Sequence, residues 1–322
     1  LPAIDQALAE GPLPGWLPAA AGMLLAAYLL HSLSLFVLEA VIEGISACLS
    51  SGTGSAYLYA TCGKENYLPK TAHAANFGTA GFLISTVSYA VIYHRFDLKG
   101  LLIATVFSGA AGFACTLFLR REPHGGAAKA HAEKTGPAQL LLLLRDQRAR
   151  RFTVLMSLFS VAWLLVNFFY AEILTQCGIP LVWLSAIIVG YSLAQMLAEP
   201  LIRMLGKCAK QSLTIFFCLI GGAVLLGFGL LHKPWALIPI MVFLPLLLDL
   251  AAFYVEEQQN HLVDTLEMEN DRAAALSVMN MGVNLVEILS LFASSLLVAA
   301  GIGWCFGLCG VFLILGCIWK IP

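Results

Sequence analysis

Charge is what this sequence has least of. Only 11% of its 322 residues are Asp, Glu, Lys or Arg, against about 25% in a soluble domain. So few charges cannot cover a water-facing surface, which excludes a soluble enzyme and a disordered chain. The 18 basic and 19 acidic residues leave a net charge of −1. There is no cationic excess to hold a phosphate backbone, so nucleic acid is excluded as a partner. The nine cysteines form no CxxC pair and no Cys/His cluster, so neither a disulfide framework nor a metal site is expected. Cys305 and Cys309, four apart in an apolar run, read as buried packing. No cofactor is expected either, because GTGSAY at 52–57 holds only a GxG with no strand before it. The chain opens on Leu1 with no basic leader, which reads as a fragment or processed product without a secretory signal.

Apolar residues fill the space that charge leaves: 60% of the chain is hydrophobic and its mean hydropathy is +0.85. A helix needs about 20 apolar residues to cross the hydrocarbon of a bilayer. That length predicts ten spans, near 13–31, 33–58, 74–94, 99–119, 152–174, 180–202, 212–232, 235–256, 273–299 and 303–320. Helices follow from the need to satisfy every backbone amide within lipid. The expected class is an all-α polytopic membrane protein. Gly178-Ile-Pro180, His232-Lys-Pro234 and Gly301-Ile-Gly303 punctuate it. If the second span ends in the cytoplasm, all Lys and Arg except Arg95, Lys99 and Lys233 fall on cytoplasmic segments. This is the positive-inside pattern, and it places both termini in the cytoplasm of a cell in whose (inner) membrane the protein sits. A Gly/Ala/Pro/charge-rich linker at 120–151 separates an N-terminal bundle (1–119) from a C-terminal one (152–322).

Ionisable groups inside a bilayer are costly and usually face a protein interior or a water cavity. Six acids fall in the predicted spans: Glu39, Glu43, Glu172, Glu199, Asp249 and Glu287. Polar residues recur at helical spacing on four spans. One stripe is Glu39, Glu43, Ser46, Ser50, Thr53 and Tyr57; another is Ser277, Asn280, Asn284, Glu287 and Ser294. Thr153, Ser157, Ser160 and Asn167 make a third, and Ser185, Ser192, Gln195 and Glu199 a fourth. Single Ser or Thr residues are expected mainly to bond neighbouring helices, whereas Glu43 and Glu287, near mid-span, read as functional. The spans at 13–31, 99–119, 212–232 and 303–320 carry no acid and read as outer, lipid-facing helices.

The chain resembles the major facilitator superfamily of secondary transporters. EGISACLSSGTGSAYLY at 43–59 is similar to that family's fourth helix and its exit, and DRAAALSVMNMGVNLVEIL at 271–289 is similar to the start of its eleventh. LIRMLGK at 201–207 resembles the family's Gly-x-x-x-Asp-Arg-x-Gly-Arg loop through Arg203, Gly206 and Lys207, with Ile202 at the Asp position. The resemblance implies that the ten spans correspond to the family's third through twelfth helices, and that Arg203, Gly206, Lys207 and Arg272 serve topology or gating. Ala40 stands where drug/proton antiporters of the family often have Arg, which speaks against drug efflux.

The expected function is movement of a small solute by alternating access about a mid-membrane site, coupled to protons. Burial disfavours a charged carboxylate, so Glu43, Glu287, Asp249 and Glu39 are the candidate proton sites. Asn167, Gln195, Asn280 and Asn284 are candidate hydrogen-bonding groups for the solute. Glu172 and Glu199, near span ends, read as structural or gating groups. The acidic stretch from Glu256 and Glu257 to Asp271 reads as a solvated face. The rival class is a membrane-embedded enzyme, for which only His94 with Asp97 and Cys62 with His73 are available; a transport-inactive sensor or scaffold of the same fold is the third.

Overall fold

In a computed structural model, the chain is described at residues 22, 25–26, 28–50, 52–118, 143–206, 210–231, 233–268 and 271–316. Its helices are α1 (Leu33–Ser50), α2 (Thr53–Cys62), α3 (Tyr67–Thr116), α4 (Gln147–Gln176) and α5 (Leu181–Gln195). They continue as α6 (Ala198–Leu205), α7 (Lys210–Leu230), α8 (Pro234–Thr265), α9 (Arg272–Leu297) and α10 (Ile302–Gly316). Among the described residues there is no strand. Six stretches are long and apolar enough to cross a membrane: Val91–Cys115, Gln147–Gln176, Trp183–Leu205, Ser212–Leu230, Pro234–Thr265 and Arg272–Ala300. Leu33–Ile42 and Ile302–Gly316 are shorter apolar helices. The protein is an all-α, multi-pass membrane protein.

Local chemistry sets the ends. Asp146 caps α4, its Oδ1 accepting from the backbone N–H of Arg148 (2.8 Å) and Ala149 (2.9 Å). At the other end Gly178 takes φ +86°, Ile179 N–H reaches Leu174 O at 3.0 Å and Gly178 N–H reaches Thr175 O at 2.9 Å. That double closure is a Schellman motif, and Pro180 follows it. Pro234 occupies the first turn of α8, where its missing N–H has no helical partner to lose.

Four predicted spans differ from what forms. The span expected at 33–58 is two helices, because Gly52 at φ +81° breaks it after Ser50. The spans expected at 74–94 and 99–119 share one run of helix, interrupted only at Asp97 (φ 58°, ψ −163°). The span expected at 180–202 is divided at Met196 and Leu197 into α5 and α6. The span expected at 13–31 lies almost entirely outside the described residues.

The chain forms two compact units. The first comprises 1–61, 84–134 and 270–277, and within it Gly52 meets the opening turns of α9. A Cβ added at Gly52 would lie 2.8 Å from Ser277 N and 2.9 Å from Ala273 O, so only glycine allows that approach. Seven residues on, the buried Arg272 guanidinium sits 4.1 Å from the centre of the Tyr59 ring.

The second unit comprises 62–83, 135–269 and 278–322. Its most extensive pairing is α7 with α10. Gly222 and Gly229 on α7 face Gly310 and Gly303 on α10 so closely that an added Cβ at any of them would stand 2.3–2.6 Å from the opposite backbone oxygen. In lipid the hydrophobic effect does not drive helices together, so small residues that admit close backbone contact do. Phe228 and Phe306 meet edge to face beside this seam, centroids 5.0 Å apart. On the other side α8 packs against α4, α5 and α7, burying Phe159, Leu165, Phe217, Met241 and Tyr254.

Candidate functional site

The polar stripe predicted on α4 divides by depth. Thr153 and Ser157 are buried and spend their hydroxyls on their own helix, donating to Ala149 O (2.9 Å) and Thr153 O (2.7 Å). Ser160 instead donates to the Glu287 carboxylate on α9, and Asn167 reaches a cavity.

That cavity, of about 370 Å³, lies within the second unit. Asn167 from α4 and Gln195 from α5 share its wall with the rings of Trp163, Tyr191 and Phe82 and with Thr79 and two small residues, Ala75 and Gly78. Trp163 and Tyr191 stand edge to face with centroids 6.5 Å apart. Behind the wall is a carboxylate. Gln195 Nε2 donates to Asp249 Oδ2 at 2.7 Å, linking α5 to α8. Among the described residues no Lys or Arg pairs with Asp249. Those residues also hold no group of three His, Cys, Asp or Glu side chains arranged to take a metal.

A second polar cluster closes the α5–α6 junction. Pro200 has no N–H, so the carbonyl of Met196 four residues earlier lacks its helical donor. Asn76 from α3 supplies one, its Nδ2 lying 3.2 Å from Met196 O and 3.3 Å from Glu199 Oε2. His73, one turn before Asn76, places Nδ1 2.9 Å from the same Glu199 oxygen, and Arg203 bonds the other. His73, Asn76 and Thr79 share a helical face. The helical periodicity of the other stripes applies to this one too, at steps of three.

No protein-family model matches the chain, and no curated protein sequence does. Solved structures do match it. A variant of the E. coli fucose:proton symporter FucP aligns with TM-score 0.70 over 98% of this chain and 83% of that one, at 12% identity. FucP in the outward conformation, described as a major facilitator superfamily transporter, aligns with TM-score 0.70 over 97% of this chain and 82% of that one, also at 12% identity. The chain has the major facilitator fold.

Within this major facilitator fold, two of the segments that carried the resemblance meet. Gly52 and Tyr59 of the 43–59 segment touch the start of the 271–289 segment at Ala273, Ser277 and Arg272. Glu39 is half-buried on α1. Glu43 lies on α1 with its side chain outside the described residues, as is Lys207 altogether. Asn280 is half-buried and Asn284 exposed on α9, and neither lines the cavity of Asn167 and Gln195. Arg203 is largely exposed beside Glu199, and Gly206 ends α6. Glu172, exposed, accepts from Gln176 Nε2 at 3.1 Å. His94 and Asp97 are exposed on α3, and His73 is engaged with Glu199 rather than grouped with Cys62.

One expectation is corrected. Glu256 and Glu257 do not begin a solvated face: α8 continues to Thr265, and Glu257, Gln259 and Asn260 are 5%, 1% and 0% exposed. The cause is the apolar face of Val255, Leu262 and Val263, which packs this end of α8 into the second unit and takes the amides with it. Gln258 there donates to Thr214 on α7 at 2.7 Å.

Proposed function

We propose that this protein is a secondary active transporter that carries a small solute across the cell membrane by alternating access, with proton movement coupled to it. The observation that carries the reading is the Gln195–Asp249 pair, an amide in a cavity wall bonded to a carboxylate that no described cation neutralises. A protein of this fold that moves solute needs a mid-membrane pocket with few, placed polar groups. It also needs an acid that takes up and releases a proton as the site changes sides. Asp249 is the leading proton site, with Glu287 next and Glu39 and Glu43 after it; Asn167 and Gln195 contact solute. Asn280 and Asn284 on α9, outside that cavity wall, are further candidate solute contacts. The fold's structural neighbour FucP is named a fucose:proton symporter, which favours a solute with hydroxyl groups over the cationic or amine-bearing solute that a surplus of unpaired acids would suit. The segments 1–119 and 152–322 act as the two rocking bundles, both termini are cytoplasmic, and Glu199, Arg203, Gly206, Lys207 and Arg272 hold the gate ends.

The test uses the full chain in liposomes with an imposed pH gradient and a panel of monosaccharides, polyols and amines. Wild type accumulates one class against its gradient, and collapse of the pH gradient abolishes the accumulation. Asp249→Asn retains exchange of labelled for unlabelled solute but loses accumulation at least tenfold. Accumulation that ignores the pH gradient, or that Asp249→Asn leaves intact, refutes the coupling.

A further inference from the structure

The bond between Gln195 and Asp249 has a directional consequence. A carboxylate offers only acceptors, so the amide nitrogen must face it, as it does at 2.7 Å. With Asp249 ionised, one amide N–H is held and the carbonyl Oε1 remains for the cavity whose wall Gln195 forms. A protonated Asp249 carries an O–H donor that needs an acceptor. Among the described residues its hydrogen-bond partner is Gln195, and Oε1 of that same side chain is the acceptor within reach.

We propose that the Gln195 amide transmits the protonation state of Asp249 to the solute: protonation draws Oε1 into an O–H···O bond with Asp249 and withdraws it from the cavity. This rests on the reading of Asp249 as the proton site. The proton enters from water onto one Asp249 oxygen, no covalent bond of Gln195 changes, and the acid and amide then face each other through two hydrogen bonds. The groups around the pair do not replace Gln195. From α5 comes Tyr191, whose ring stands edge to face with Trp163 in the same wall. Glu199 and Arg203 of α6 are engaged with each other and with His73. The acid facing α4 from α9, Glu287, accepts from Ser160, and α7 brings Cys218, which is buried. A solute that donates a hydrogen bond to Oε1, through a hydroxyl or an ammonium group, therefore binds the ionised form better. Protonation weakens its binding roughly threefold to tenfold, the worth of one hydrogen bond, and by reciprocity the bound solute disfavours protonation by the same factor.

Infrared difference spectroscopy on the full chain in lipid, stepped between acid and neutral pH without any solute, tests this directly. The expected difference spectrum contains a protonated-carboxyl band and a side-chain amide carbonyl band that appear together and are both lost in Asp249→Asn. In Gln195→Met, close in shape, the amide band disappears and the carboxyl band stays but moves to the frequency of a less hydrogen-bonded acid. If Gln195→Met does not fold, wild type grown with isotope-labelled glutamine shifts the amide band and gives the same answer. An Asp249 carboxyl band with no accompanying amide change overturns the proposal and leaves the transport reading standing. Absence of any band that Asp249→Asn removes overturns both.

Discussion

Two glycines three residues apart on α10 should respond to the same substitution with opposite sign. A Cβ at Gly310 would lie 2.6 Å from the Gly222 carbonyl oxygen and 3.0 Å from Leu226 N, whereas at Gly307 it would meet nothing within 4 Å. Both sit in helix interiors, where alanine is favoured over glycine by about 0.5–1 kcal/mol. Gly307→Ala should collect that gain. At Gly310 the obstacle is backbone, which cannot rotate aside, so α7 and α10 must separate along their seam. Forcing one extra carbon into a close-packed contact costs about 1–3 kcal/mol. The gain is common to both, so the two variants should differ by the packing cost alone, about 1–3 kcal/mol, Gly307→Ala melting above wild type and Gly310→Ala below it. Thermal unfolding of the purified chain in one detergent, followed by reactivity of the buried Cys218, Cys305 and Cys309, measures the order. Gly222→Ala, which meets the same seam from α7, should fall with Gly310→Ala. Equal midpoints for Gly307→Ala and Gly310→Ala would refute the claim that direct backbone contact joins these helices.

The same assay checks three further expectations. Gly52→Ala places a side chain at φ +81° and 2.8 Å from Ser277 N, so it should destabilise by about 2 kcal/mol or more. Gly54→Ala, with nothing within 4 Å, should be neutral or better. Glu267 closes α8 at φ 57° with Met268 N–H on Val263 O at 3.1 Å, a position that suits glycine. Glu267→Gly should raise the midpoint by the equivalent of about 0.5–1 kcal/mol.

Much of the architecture was legible before any coordinates. Span length, scarcity of charge and breaks such as Gly178-Ile-Pro180 are local properties, and a backbone surrounded by lipid has few ways to satisfy itself. The errors at Gly52, Asp97 and Met196–Leu197 share a cause. Whether an apolar run is one helix or two depends on a single backbone torsion or a missing N–H, and hydropathy does not register either. Pro200 was visible, but its effect on the Met196 carbonyl, and the repair by Asn76, needed a residue 120 positions away. Glu257 looked solvated because it stands in an acidic run of sequence, and it is buried because the apolar face of Val255, Leu262 and Val263 packs this end of α8.

From sequence alone came the class of protein, the polar stripes and the set of candidate residues for protons or solute, since periodicity says which side chains share a face. Which carboxylate meets which partner was decided only in three dimensions. Gln195 and Asp249 are 54 residues apart, Ser160 and Glu287 127, His73 and Glu199 126. Thr153 and Ser157, on the same stripe as Ser160, found acceptors on their own helix. A hydroxyl or amide can satisfy itself locally or across a helix pair at similar cost, so its pattern in one dimension is the same in both cases, and packing chooses between them.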